Sequence, residues 1–249
     1  MNVFSSWMNA EDDYMKFWGN SDNPSLSMQE YVDKCKRAVL DYINQAPQPL
    51  NEAADRGTCL NEIVDCLIGS EPNPSVWWDK IADNYQAERN GFRFEFYGVM
   101  VDQLVMTMRN AIPQYHLSYT YTPDGCGYDI YLHGYADYIF PTQIWDLKTT
   151  SKYESERYRD NWQRLVYPVI AVDSGDMLRC DLFGFHVMEC RKSSDSGVIT
   201  AEEWKETYDV NIADARSKIM EFLTGVMIPQ LDKWNYEGMT PQQTICHYD

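Results

Sequence analysis

The spacing of apolar and polar positions divides the chain into a helical first part and a strand-rich middle. Residues 1–26 are polar and aromatic, with weak periodicity. Ser27-x-x-Glu30 is a capping box and predicts a helix through about Asn44, with Tyr31, Cys35, Val39 and Tyr42 along one side. Pro47 and Pro49 end it. A second helix is predicted from Asn51 to Ile68, closed by Gly69. Beyond a loop marked by Pro72 and Pro74, Val76 to Tyr85 reads as a short helix carrying Trp77, Trp78 and Ile81. Phe92, Phe94 and Phe96 alternate with Arg93, Glu95 and Tyr97, which leaves that element open between strand and helix. Val99 to Arg109 reads as helix, and Pro113 stops it.

The period then switches to two. Tyr115 to Thr122 and Tyr128 to Phe140 both alternate, with the turn signal Pro123-Asp124-Gly125-Cys126-Gly127 between them. Pro141-Thr142 makes a second turn, and Gln143 to Thr149 reads as a third strand, so an antiparallel meander is expected. A helix follows over 157–172, with Pro168 expected to kink it. Met177 to Cys190 reads as a strand broken by Gly184, residues 201–234 as helices, and the last fifteen residues as irregular. No repeat or linker is visible, so one domain over 1–249 is expected: a helical part over about 27–110, a core over about 111–190, then C-terminal helices.

Composition narrows the function classes. Hydrophobic residues make up 44% of the 249 and aromatics 14%, enough for a real core. No run of about 18 apolar residues occurs, so no membrane span is expected. Met1-Asn2-Val3-Phe4 lacks the basic and apolar regions of a signal peptide, and a cytoplasmic protein is the expectation. The seven cysteines form no Cys-x-x-Cys pair and read as buried reduced thiols, neither a disulfide framework nor a zinc knuckle. The four histidines show no ligand spacing, and His133 reads as an ordinary strand histidine. The formal net charge of −17 argues against non-specific binding of nucleic acid. The run from Lys148 to Arg164 is locally basic, with Lys148, Lys152, Arg157, Arg159 and Arg164 against Glu154, Glu156 and Asp160.

The chemistry lies in the middle of the chain. Asp137 and Asp146 fall at corresponding points of two strands joined by a short turn. Residues two apart on a strand share a face, so Asp146 and Lys148 project together while Leu147 points into the core. Two carboxylates, with the Leu147 backbone carbonyl, suit Mg²⁺, and Lys148 could orient a water or neutralise a phosphate. Gln163 and Tyr167 share one helix face at i, i+4, placed to hold a nucleic-acid strand or steady the metal ligands. A lone Asp-x-Lys is usually a surface strand pair, and specificity comes from the ordered set.

That set is a hairpin with Gly134-Tyr135-Ala136-Asp137, a strand with Asp146-Leu147-Lys148-Thr149-Thr150, then a helix with Gln163 and Tyr167. It resembles the PD-(D/E)XK nuclease superfamily, specifically the RecB-like branch that includes phage exonuclease-like proteins and CRISPR-associated iron–sulfur nucleases. The strongest match covers about residues 128–170. The resemblance implies an α/β (α+β) fold of restriction-endonuclease type, a mixed central β-sheet flanked by helices. It implies Asp137 and Asp146 as metal ligands, Lys148 as the catalytic lysine, Gln163 and Tyr167 as the helix motif, and Mg²⁺ or Mn²⁺ as cofactor. It further implies a deoxyribonuclease, exonuclease-like, acting on linear single- or double-stranded DNA in phage or bacterial recombination, repair or processing, with a recombination or repair protein as partner.

Members of that branch often carry an upstream helix with Gly-x-x-x-His followed by an acidic residue. Arg56-Gly57-Thr58-Cys59-Leu60-Asn61-Glu62-Ile63-Val64-Asp65 resembles it, with Asn61 at the histidine position and Glu62 or Asp65 able to compensate as ligand. Gly98-Val99-Met100-Val101-Asp102 is the rival match and fits fewer positions. Cys180, Cys190 and Cys246 are too dispersed for the iron–sulfur pattern, and no phosphate-binding Gly-rich loop is present. The alternative to a working enzyme is a nuclease fold retained as a nucleic-acid- or protein-binding module, which the acidity and Asn61 favour. The Asp, Asp, Lys set argues against a third option, an acidic DNA mimic.

Overall fold

The computed structural model describes residues 6, 9–18, 25–43, 49–124 and 129–231. The protein is of mixed α+β class. Its helices and strands in chain order are α1 (Ala10–Trp18), α2 (Met28–Ile43), α3 (Glu52–Ile68), β1 (Trp77–Ile81), β2 (Asn84–Arg89), β3 (Phe92–Tyr97), α4 (Gly98–Met108), β4 (Ile112–Tyr121), β5 (Ile130–Phe140), β6 (Gln143–Thr150), α5 (Gln163–Asp173), β7 (Leu182–Lys192), β8 (Ile199–Asp209), α6 (Ile212–Phe222) and α7 (Ile228–Leu231), with a π-helical turn over Leu223–Met227. The strands form one eight-stranded sheet in the order β1-β2-β3-β8-β7-β6-β5-β4. It is mixed: β3 with β8 and β6 with β7 run parallel, whereas β1–β2, β2–β3, β5–β6 and β7–β8 run antiparallel.

Two compact units are built from interleaved stretches of chain, so no boundary falls at a single point of the sequence. The larger comprises Pro49–Tyr119 and His133–Arg216. Its core joins Cys59, Leu60, Ile63 and Val64 of α3 to Val101, Leu104 and Met108 of α4, and to Tyr85, Phe94, Phe96, Tyr138, Leu147 and Met188 of the sheet. In the other unit, α1 packs on α2 through Tyr14, Trp18 and Tyr31, with ring centroids 5.2–6.1 Å apart.

The helix signals hold where local chemistry is strong. Both the backbone N–H and the hydroxyl of Ser27 donate to Glu30 Oε2, closing the capping box at the head of α2. Asn51 caps α3 by accepting from the Ala53 and Ala54 N–H groups, and Gly69 ends it in a left-handed conformation at φ 118°. Val76 to Tyr85 is not a helix but the β1–β2 hairpin, turned through Ala82 at φ 54°. Trp78 and Tyr85, 6.3 Å apart, pack across that hairpin. The Phe92–Phe96 alternation resolves as strand β3.

Residues 201–209 are also strand rather than helix. The helix formers Ala201, Glu202, Glu203 and Lys205 are overridden by an eleven-residue antiparallel ladder from Ile199↔Lys192 to Asp209↔Leu182. Helix α5 begins only at Gln163, after turns over 155–160, and continues past Pro168 to Asp173. Gly184 does not break β7. A Cβ there would lie 2.4 Å from the Trp145 ring, so glycine is what admits that indole. The expected meander is seen in the β5–β6 pair, with β4 beside β5 at the sheet edge. The Gly125–Gly127 turn and the last fifteen residues lie outside the described residues. No described helix is long and apolar enough to cross a membrane.

Candidate active site

Strands β5 and β6 pair from Phe140↔Gln143 to Tyr138↔Trp145. The next register position is Asp137 against Asp146, and there the ladder opens. The Leu147 N–H, which a continuing ladder would give to a strand carbonyl, donates instead to Asp137 Oδ2 at 2.7 Å. A cavity of about 630 Å³ occupies the opening. Its lining includes Asn61, Asp137, Asp146, Leu147, Lys148, Gln163 and Tyr167.

Strand alternation sorts the side chains as expected. Leu147 joins the core under α3, and Asp146 and Lys148 project together as an ion pair of 2.7 Å. Asp146 is only 2% exposed, and its second oxygen accepts from Gln163 Nε2 at 3.0 Å. The same Gln163 amide lies 3.3 Å from the Tyr167 hydroxyl, so the i, i+4 pair meets at the carboxylate. Two glycines permit this closeness. A Cβ on Gly134 would stand 2.9 Å from Tyr167 Cε1, and one on Gly57 would stand 2.9 Å from Thr149 Oγ1. The small residue of the Gly-x-x-Asp pattern thus lets the Tyr167 ring lie on β5.

Electrostatics follow from crowding two carboxylates in a protected place. Burial, and then the charge of Asp146, push Asp137 up to about 8, only partly offset by Lys148 and the Leu147 N–H. Burial works against the Lys148 ammonium, but Asp146 and Asp137 outweigh it and raise its pKa. Burial lifts the Tyr167 hydroxyl to about 12, so it stays neutral at physiological pH and accepts from the Gln163 amide.

The upstream helix reaches the same place. Asn61 lines both this cavity and an adjoining one of about 590 Å³, and its buried Oδ1 has no hydrogen-bond partner. Glu62 turns aside: its carboxylate accepts from the Asn73 N–H at 2.6 Å and the Cys66 thiol at 3.2 Å, which anchors the loop after α3. Asp65 is the acidic residue connected to the site. Gln114 donates to Asp65 Oδ2 at 2.9 Å and reaches Asp137 Oδ1 at 3.4 Å. Burial raises Asp65 to about 7, against the pull of Tyr138 and Gln114. Asp102 of the rival motif is occupied elsewhere, by the Tyr85 hydroxyl at 2.7 Å and Lys80 at 3.4 Å.

Gln114 carries no signal in the sequence. It sits one residue after Pro113 in β4 and holds a left-handed backbone at φ 46°, a strained conformation for a residue that links two carboxylates. The locally basic segment is less cationic than its composition: Lys152 pairs with Glu154 and Arg159 with Glu156, while Arg157 is held by Thr150 Oγ1 and the Lys152 carbonyl. His133 packs near His116, ring centroids 5.9 Å apart.

Among the described residues no three His, Cys, Asp or Glu side chains group closely enough to hold a metal by themselves. The oxygen-bearing residues lining the cavity include instead two carboxylates, Asp137 and Asp146, with Asn61, whose buried Oδ1 has no hydrogen-bond partner, and Leu147, whose backbone carbonyl is a further oxygen. That all-oxygen set suits a hard cation that keeps several waters, Mg²⁺ or Mn²⁺, and not a tetrahedral zinc. No family model matches the chain, and no characterised protein matches it significantly.

Proposed function

We propose that the chain is a Mg²⁺- or Mn²⁺-dependent nuclease that hydrolyses DNA phosphodiester bonds, exonuclease-like, in phage or bacterial DNA recombination, repair or processing. Its sheet is then a restriction-endonuclease-like core of the PD-(D/E)XK superfamily. The observation that carries this reading is the Asp146–Lys148 pair at 2.7 Å, which begins one residue beyond the last β5–β6 ladder pair and lines one cavity with Asp137.

Asp137, Asp146 and the Leu147 carbonyl would hold the metal, with Asn61 Oδ1 beside them in place of an imidazole. The bound cation supplies charge neutralisation for a phosphodiester and a water acidic enough to attack it. Lys148, held by Asp146 and lining the cavity, would orient that water or offset charge growing on the phosphate. Gln163 fixes one oxygen of Asp146 so that the carboxylate keeps its orientation. Tyr167, neutral and buried, backs the Gln163 amide. Burial and the neighbouring Asp146 hold Asp137 well above the usual carboxylate range, so a cation bound there would compete with a proton.

The test is cleavage of linear DNA with Mg²⁺ or Mn²⁺ by wild type, Asp146→Ala and Lys148→Ala. Both variants are expected to lose at least about 100-fold in rate, the scale of removing a charge-stabilising group. Equal cleavage by all three ends the assignment. A second reading, the same fold kept as a binding module, is favoured by Asn61 and by the full engagement of Asp146 by Lys148 and Gln163. Titration calorimetry separates the two, since a module without a metal site takes up no Mn²⁺ at millimolar concentration.

A further inference from the structure

The face of β5 that carries Asp137 continues outward through Tyr135 and His133, because residues two apart on a strand share a face. On the neighbouring edge strand β4, Gln114 and His116 lie on one face in the same way. The rings meet: His116 stands 4.9 Å from Tyr135 and 5.9 Å from His133, centroid to centroid. Tyr135 is half exposed and His116 is exposed, although both are large planar groups that a sheet face ordinarily covers. Tyr135 also lines both cavities beside Asp137. An aromatic shelf therefore leads to the candidate metal ligand, its nearest ring two residues, or about 7 Å along the strand, from it.

We infer that Tyr135, backed by His116 and His133, is a stacking shelf for unpaired bases, so the strand entering this site is single-stranded DNA. This rests on the nuclease reading above and names its substrate class. Base faces are open to stacking only when the base is unpaired, and stacking needs no particular base. Charge cannot replace it here. The chain carries −17, and Lys148, Lys152 and Arg159 are each paired with an acid. Among the described residues lining this cavity, Lys148 supplies the positive charge and is already paired with Asp146, so a duplex, bound mainly through its phosphates, gains little there.

The experiment is fluorescence anisotropy with a labelled fifteen-nucleotide oligo-dT and a fifteen-base-pair blunt duplex, in EDTA so that neither is cut. Wild type is expected to prefer the single strand. Tyr135→Ala should weaken that binding by about tenfold to a hundredfold, the loss of one base–aromatic stack, and Tyr135→Phe should retain it. His116→Ala should fall between, since it removes only the backing ring. Equal affinity for the two probes, single-strand binding untouched by Tyr135→Ala, or no binding of the oligonucleotide overturns the shelf. Metal-dependent cleavage abolished by Asp146→Ala is read separately. If it persists without a Tyr135 effect, the nuclease stands and the shelf fails. If Tyr135-dependent binding occurs without cleavage, the shelf stands and the enzyme fails.

Discussion

Replacing Lys148 with Met tests whether Asp146 is held as a charge in a protected place. Met keeps most of the stem's volume and removes the ammonium 2.7 Å from Asp146 Oδ2. The carboxylate is 2% exposed and keeps only the Gln163 amide, with Asp137 as a nearby like group. Breaking one side of a buried ion pair costs ~3–5 kcal/mol. Lys148 is itself 27% exposed, so water can reach the vacated position and the low end, ~3 kcal/mol, applies. For a chain of this size each kcal/mol shifts Tm by about 2–4 °C, so calorimetry should show a fall of about 6–12 °C at pH 7.5. Asp146→Asn added to Lys148→Met should recover most of the loss, because a neutral amide no longer needs the cation. The double-mutant cycle therefore has a coupling of roughly 2 kcal/mol or more. A loss below about 1 kcal/mol, or strictly additive single and double variants, would falsify the picture of a protected, charge-paired Asp146.

Two further outcomes follow from the packing. Gly134→Ala places a methyl 2.9 Å from Cε1 of Tyr167, a ring 1% exposed and packed 6.4 Å from Phe183. It should cost ~1–3 kcal/mol in urea denaturation and lower any cleavage activity, and a neutral result would show that β5 and α5 are not in such close approach. His186 is fully buried, and burial, opposed by Glu203, lowers its pKa to about 4 from 6.5. The folded state thus binds the proton less well than the unfolded one, so stability is complete above about 6.5 and is lost as pH falls through 4. The loss is at most about 3 kcal/mol over that window. His186→Leu should flatten the pH 4–6.5 dependence of the urea midpoint, and an unchanged slope would assign the acid lability to other groups.

Local chemistry alone determined a good share of this protein. The capping box at Ser27 and Glu30, the Asn51 cap and the Gly69 terminus are each settled within a few residues, so α2 and α3 were legible to within a residue or two. Period-two alternation likewise determined that Asp146 and Lys148 share a face, that Leu147 enters the core, and that Asp137 stands opposite Asp146, since a two-residue turn fixes hairpin register. What the tertiary structure decided lies wherever a distant partner sets the outcome. The helix-forming stretch around Glu202 and Glu203 became β8 because β7 offered eleven residues of unpaired backbone. Trp78 went into a hairpin because Tyr85 and the core beneath it supply the surface it packs beside, while Trp77 on the opposite face stays exposed. Gln114 reached the site because the edge strand lies across from α3, forty-nine residues away in the chain. Between Glu62 and Asp65, adjacent acids on one helix, only the fold could choose: the loop at Asn73 claims the first, and Gln114 ties the second to Asp137.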